Sequence, residues 1–203
     1  MFGLPENTAL ERVLPKKKIF EAFSLKSSEQ TAFDKDISRI VIINVLSPST
    51  IPAIAPFSDN ASIFVIQLSL KRREFSKKNV QLIAKLIPQK LVFALTYEDS
   101  VLFAICNADK MFYSSWLPIE QAKLPLIGMS MENVWTNFIT CIGNFSIDEG
   151  RSLDEQVAVN DKRQAMQDKI KALERQRDKE CQPKKKLELH RQINELKNKL
   201  KQL

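Results

Sequence analysis

Two hydrophobic rhythms divide this chain. Through residues 39–107, apolar positions come as short β-branched runs and alternations; beyond residue 150 they recur at three- and four-residue intervals among charges. The first rhythm belongs to strands with buried faces, the second to helices with one sticky side.

Residues 39–46 (Arg-Ile-Val-Ile-Ile-Asn-Val-Leu) predict a buried strand, ended by Ser47-Pro48-Ser49-Thr50. Residues 51–60 hold two prolines and read as loop. Residues 61–71 predict the strongest strand: Ile66, Leu68 and Leu70 point one way, and Gln67, Ser69 and Lys71 the other. A helix follows over 77–87, with Ser76 as its cap, Val80, Ile83, Ala84 and Ile87 as its apolar stripe, and Pro88 as its stop. Residues 90–97 and 101–107 read as a hairpin turning at Glu98-Asp99-Ser100, and residues 112–117 as a short strand. Val134, Trp135, Phe138 and Ile142 give helical spacing over 131–142, with Gly143 as C-cap.

The N-terminal segment predicts only helix. Asn7-Thr8 would cap residues 9–14 between Pro5 and Pro15, and residues 19–23 and 28–38 would follow, Ser28 capping the latter so that Phe33 and Ile37 share a face. The expected fold is α+β: a mixed four- to five-stranded sheet flanked by helices over residues 1–150, then a two-helix coiled-coil arm over 151–203, with Gly150 at the boundary.

The arm carries a heptad stripe, Leu189, Ile193, Leu196, Leu200 and Leu203, spaced four, three, four, three. Ser152 and Glu155 form a capping box at its start. Val159, Met166, Ile170 and Leu173 make a partial seam that does not stay in register with the second stripe across Gln182-Pro183. Proline suits the first turn of a new helix but not the middle of an old one. The slip therefore predicts two helices, 152–181 and 184–203, either kinked or folded as an antiparallel hairpin with Leu189 and Ile193 near Leu173 and Ile170. A second helix of about 20 residues is marginal alone in water and must pack on something. Ile170, Leu173 and the five stripe residues are therefore the candidate partner-binding set.

Charge is unevenly placed. From residue 151 on, 15 Lys and Arg face 9 Asp and Glu, so the arm holds most of the chain's net charge of +7. Lys16-Lys17-Lys18, Lys71-Arg72-Arg73 with Lys77-Lys78, and Lys184-Lys185-Lys186 are the candidate nucleic-acid contacts, and non-specific, salt-dependent duplex binding is what such clusters offer. No aromatic residue stands within any of the three basic triplets, so stacking on single strands is not expected from them.

The chemistry is sparse. His190 is the only histidine and sits in the Lys-rich second arm helix, which argues against triads and zinc catalysis. Four glycines and no phosphate-loop pattern argue against a nucleotide site. Three scattered cysteines without a CxxC fit a reducing cytoplasm, and neither a signal peptide nor a membrane span is expected. A restriction-type nuclease would need a carboxylate and Glu-x-Lys on adjacent strands to hold Mg²⁺. The slot here reads Ser69-Leu70-Lys71 with Asn44 before it, so a nuclease-like fold would be a degenerate one. No catalytic residue, metal, cofactor or small-molecule substrate is assigned.

Leu14-Pro15-Lys16-Lys17, Leu46-Ser47-Pro48-Ser49-Thr50, the strand ending Leu70-Lys71, Ile87-Pro88 before Leu91-Val92-Phe93, Trp116, and Cys181-Gln182-Pro183-Lys184-Lys185-Lys186 come in an order that resembles a bacterial and archaeal family known as domain of unknown function 4391. The likeness runs through the whole chain, tail included. It implies companionship with helicase and methyltransferase proteins in restriction-like or anti-phage operons, and relatives that look like Glu-Leu-Lys where this chain has Ser69-Leu70-Lys71. The expected role is thus a non-catalytic adaptor in a DNA-processing or defence complex, joined to a helicase-like subunit or to itself through the arm. Direct DNA binding and a metal-dependent nuclease are the alternatives.

Overall fold

Seven strands pair into one sheet among the described residues: β1 (Ala9–Val13), β2 (Ile37–Leu46), β3 (Ile63–Leu70), β4 (Lys90–Tyr97), β5 (Ser100–Asn107), β6 (Lys110–Tyr113) and β7 (Leu117–Pro118). The computed structural model describes residues 2–108 and 110–201. They fall into two units, Met1–Phe145 and Ser146–Leu203, each treated by itself below.

The sheet runs β1-β2-β3-β4-β5-β6, with β7 also paired to β5. All neighbours are antiparallel except β3 and β4, which run parallel from Ile63↔Lys90 to Ser69↔Thr96. That one parallel pair needs a crossover, and α3 (Lys77–Leu86) supplies it. Alternation then fixes the faces. Ile40, Ile42, Ile66, Leu68, Leu70, Phe93 and Leu95 pack on one side with Ile19 from α1 (Lys16–Ala22), Phe33 from α2 (Ser27–Asp36), and Val80 and Ile83 from α3. On the other side Val92, Ala94, Phe103 and Ile105 are buried as well. There α4 (Met131–Gly143) lies against β5 and β6 and buries Val134, Phe138, Ile139 and Ile142. Both faces of β4 and β5 are covered, which is why their sequences read as continuous apolar runs.

The mixed α+β architecture and the helical C-terminal part are as expected; the sheet is larger. Residues 9–13 are strand β1, not helix. Thr8 does not cap a helix: its hydroxyl donates to Pro5 O (2.6 Å) and accepts from Asn44 Nδ2 (2.8 Å), tying the segment to the edge of β2. Backbone pairing with β2 decides the conformation of this short exposed segment over its local propensity. β7 is two residues long, below what a sequence pattern registers. Further shifts are local. Helix α2 begins at Ser27 and not behind a Ser28 cap, with the Glu29 carboxylate accepting from Lys26 N (2.8 Å), and it yields to β2 at Ile37. The left-handed C-cap of α4 is Asn144 (φ 52°), one residue after Gly143. Gly143 answers to packing: a Cβ there would lie 2.6 Å from Phe145 Cε1 and 3.1 Å from Phe112 Cδ1.

The second unit is a pair of helices, α5 (Leu153–Lys179) and α6 (Pro183–Lys201), with Pro183 opening the second. Ser152 Oγ accepts from Glu155 N (3.3 Å) and Glu155 Oε2 accepts from Ser152 N (2.8 Å), completing the capping box. This exposed carboxylate also accepts from Ser152 Oγ (2.9 Å), and the bonds it accepts from the Ser152 backbone and hydroxyl hold it below its ordinary pKa. Buried Gln156 accepts from Asp148 N (3.0 Å), fastening the lead-in to the first turn. Glu180–Gln182 turn the chain, and Lys197 Nζ meets Glu174 Oε1 at 2.8 Å, so α6 runs back along α5.

Candidate functional site

The geometry with most to explain lies where α2 hands over to β2. Asp36, the last residue of α2, is buried, with its side chain 2% exposed. Its Oδ1 accepts from Arg72 Nε (2.8 Å) and also from a terminal guanidinium nitrogen. Its Oδ2 accepts from Ser76 N (2.8 Å) and Asn79 Nδ2 (2.9 Å), and its carbonyl accepts from Lys71 N (2.9 Å). Ser76 does stand at the N-cap position of α3, but its own side chain makes no capping bond. The carboxylate that satisfies the helix start comes from forty residues upstream, and its negative charge sits at the positive end of α3.

The same junction gathers two basic runs. Lys16 Nζ donates to Asp34 Oδ1 (2.6 Å) and to Ile37 O (2.6 Å). Lys16 and Arg72 are therefore pinned to neighbouring residues of one short segment, and the Lys16–Lys18 and Lys71–Arg73 runs meet at one pole of the first unit. That pole lies at the carboxyl ends of the parallel pair β3 and β4. Lys17 pairs loosely with Glu21 (3.6 Å) on the surface of α1. Arg73 Cζ lies 5.5 Å from the centre of the Trp116 ring, and Lys77 Nζ lies 4.6 Å from that of Tyr113. Both distances suit cation–π attraction. The aromatic partners that the basic runs lack in sequence are thus delivered by the fold, from the segment after β5.

Tyr113 has a second peculiarity. Its hydroxyl is buried without a hydrogen-bond partner among the described residues, and burial, with a smaller contribution from Cys106, pushes its pKa up to about 12. Asn44 is also buried. Its amide nitrogen serves Thr8, whose own proton goes to Pro5, and its Oδ1 has no partner among the described residues.

The slot considered for a nuclease is occupied differently. Asn44 is committed to Thr8, Ser38 Oγ donates to Ser69 O (2.8 Å), and Ser69 pairs with Arg39 across the sheet. Among the described residues no three His, Cys, Asp or Glu side chains converge as metal ligands would.

In the second unit, Ile170 and Ile193 are buried (6% and 1% exposed), while Leu173, Leu189, Leu196 and Leu200 are half-exposed. Leu203 lies outside the described residues. Leu187, which the heptad count leaves off the stripe, is 71% exposed. Lys184, Lys185 and Lys186 occupy the first turn of α6 and are exposed, with no acidic residue in that turn. A shallow hollow beside the turn is lined by Gln176, Lys179, Glu180, Lys185, Glu188 and Leu189 among others. No helix among the described residues is long and apolar enough to cross a membrane.

Sequence reasoning found the lysine runs but missed Asp36, Tyr113 and the part played by Trp116. An acid at the last residue of a helix, directly before an apolar strand, was the one available signal for Asp36; its partners are named only by the fold. The chain belongs to the family described as Domain of unknown function (DUF4391), whose model matches residues 2–200. No curated protein matches the chain, and no solved structure does.

Proposed function

We propose that this family member is a non-catalytic accessory subunit that works in the cytoplasm and assembles through its α5–α6 arm into a bacterial DNA-processing or anti-phage complex of the helicase or methyltransferase type. One observation carries the assembly role: among the arm's described residues only Ile170 and Ile193 are apolar and buried, while Leu187 stands in solvent and Leu173, Leu189, Leu196 and Leu200 are half-covered. A lone helical hairpin gains little from that arrangement, whereas a partner groove would bury the remainder at about 25 cal/mol per Å². The nature of the complex is drawn from the family likeness.

The lysines favour an acidic counterpart. Cations at a helix N-terminus oppose its macrodipole, each at a cost of about 0.3–1 kcal/mol, so Lys184–Lys186 do nothing for α6 itself. That placement also favours direct, salt-sensitive contact of the arm with duplex DNA as the second reading.

The test uses Leu187→Glu in the full chain, expressed with a tag in the native host. Retained helicity with loss of a stoichiometric co-purifying subunit is the expected result. The same subunit recovered at the same ratio would sink the assembly role. Alanine at Lys184–Lys186 separates the second reading, because it should abolish low-salt duplex binding and leave a leucine-mediated complex intact.

A further inference from the structure

We infer that the basic pole at the carboxyl ends of β3 and β4 binds single-stranded nucleic acid, independently of anything the arm does. Two runs separated by about fifty residues are brought together by Asp34, Asp36 and Ile37. Folding thereby concentrates cations that the sequence keeps apart. Lys16 and Arg72 are spent on holding the junction. Lys18, Lys71, Arg73, Lys77 and Lys78 are left exposed, and none of them has a carboxylate within ion-pair distance among the described residues. Glu74, between Arg73 and Lys77 in sequence, and Glu98, which together with Arg73 acts on the Tyr97 hydroxyl, are acidic groups beside the cluster, in addition to Asp34 and Asp36, which hold Lys16 and Arg72. Cations outnumber them.

Charge alone would serve any polyanion. The aromatic component selects the occupant. Arg73 sits over Trp116 and Lys77 over Tyr113, at the rim of the exposed cluster. A cation already seated on an indole offers its outer face to a further π-system, and unpaired bases stack on guanidinium groups as they do on aromatic rings. In a duplex those faces are occupied by neighbouring bases. Phosphates of the strand would lie along Lys18, Lys71, Lys77 and Lys78, and one base would cover Arg73.

The experiment uses the full chain and a short labelled oligo(dT), with a blunt duplex of equal length and polyglutamate as comparators. Trp135 is buried, so Trp116, the other of the two tryptophans, carries most of the emission change, and a Trp135→Phe variant isolates it. Expected are binding that weakens steeply with salt, quenching of Trp116, and tighter binding of oligo(dT) than of duplex. Arg73→Ala should lower oligo(dT) affinity about tenfold or more, and Lys71→Glu should lower it while reducing the salt slope. Alanine at Lys184–Lys186 should leave the Trp116 quenching in place. Absence of salt-dependent binding overturns the inference. So does equal competition by polyglutamate without quenching, which would mark an acidic-protein site, and so does preference for duplex. Because Arg73 and Lys71 are surface residues, loss of binding with an unchanged melting temperature reports contact and not misfolding.

Discussion

Arg72 Nε donates to Asp36 Oδ1 at 2.8 Å across thirty-six residues of sequence, and the same carboxylate closes the first turn of α3 through Ser76 N and Asn79 Nδ2. One buried side chain therefore joins the end of α2, the exit of β3 and the entrance of the crossover helix.

Asp36→Ala should be among the most destabilising single changes in the first unit. It leaves Ser76 N and the Asn79 amide without their acceptor and removes the charge opposite Arg72. Breaking a buried pair costs about 3–5 kcal/mol, less where one partner reaches solvent as Arg72 does, so about 2–4 kcal/mol is expected. Asp36→Asn should fall between. Denaturant titration checks both, and Arg72→Ala should cost clearly less than Asp36→Ala because it leaves the α3 cap in place.

Gly143→Ala should destabilise the protein even though alanine is the better helix former. Its Cβ would meet the Phe145 ring at 2.6 Å, and the crowding should outweigh the gain of about 1 kcal/mol from propensity. In a Phe145→Ala background the same substitution should become neutral or stabilising. A thermal double-mutant cycle reads the reversal of sign.

Tyr113 predicts the alkaline limit of the first unit. Its pKa is raised in the folded state, to about 12 from an ordinary 10. The folded protein thus holds the phenol proton more tightly than the unfolded chain does. Its contribution is constant below about pH 10 and is lost as pH rises from about 10 to 12. Tyr113→Phe should flatten stability over that window. At neutral pH it should cost little or add stability, since the buried hydroxyl has no hydrogen bond to lose among the described residues. Melting temperature against pH for the two proteins decides it.

The arm should depend on one isoleucine. Ile193→Ala should cost about 2–4 kcal/mol of arm stability and reduce the helical circular dichroism signal while leaving the first unit's tertiary signal unchanged. Lys197→Ala, which removes only the exposed bond to Glu174, should cost under about 1 kcal/mol.

The two arm helices were readable because their signals are local: the Ser152–Glu155 box, a proline, and a heptad stripe whose register slips at that proline. Strands β2 to β5 and helices α3 and α4 were readable for the same reason, since each keeps its own apolar period and a nearby stop. β1 was not. Its residues carry no decisive pattern, and only the edge of β2, together with the Thr8–Asn44 bond, makes it a strand. The candidate site divides along the same line. Lysine runs can be seen in a string of letters, but the aromatic rings they face cannot.

By itself the sequence determined the elements with a strong internal period, the two-part charge distribution, the break at Pro183 and the family likeness. The elements and the break are properties of residues within a few turns of one another, and the charge distribution and the likeness need only the order of residues along the chain. The tertiary structure alone decided that Asp36 caps α3 and holds Arg72, that Lys16 and Arg72 bring two basic runs to one pole, that Trp116 and Tyr113 stand beneath Arg73 and Lys77, and that Leu187 is left in solvent. Each of these depends on contacts that close long loops. Such contacts form only when burial of the shared core repays the chain entropy of closing them, and no local pattern records which ones do.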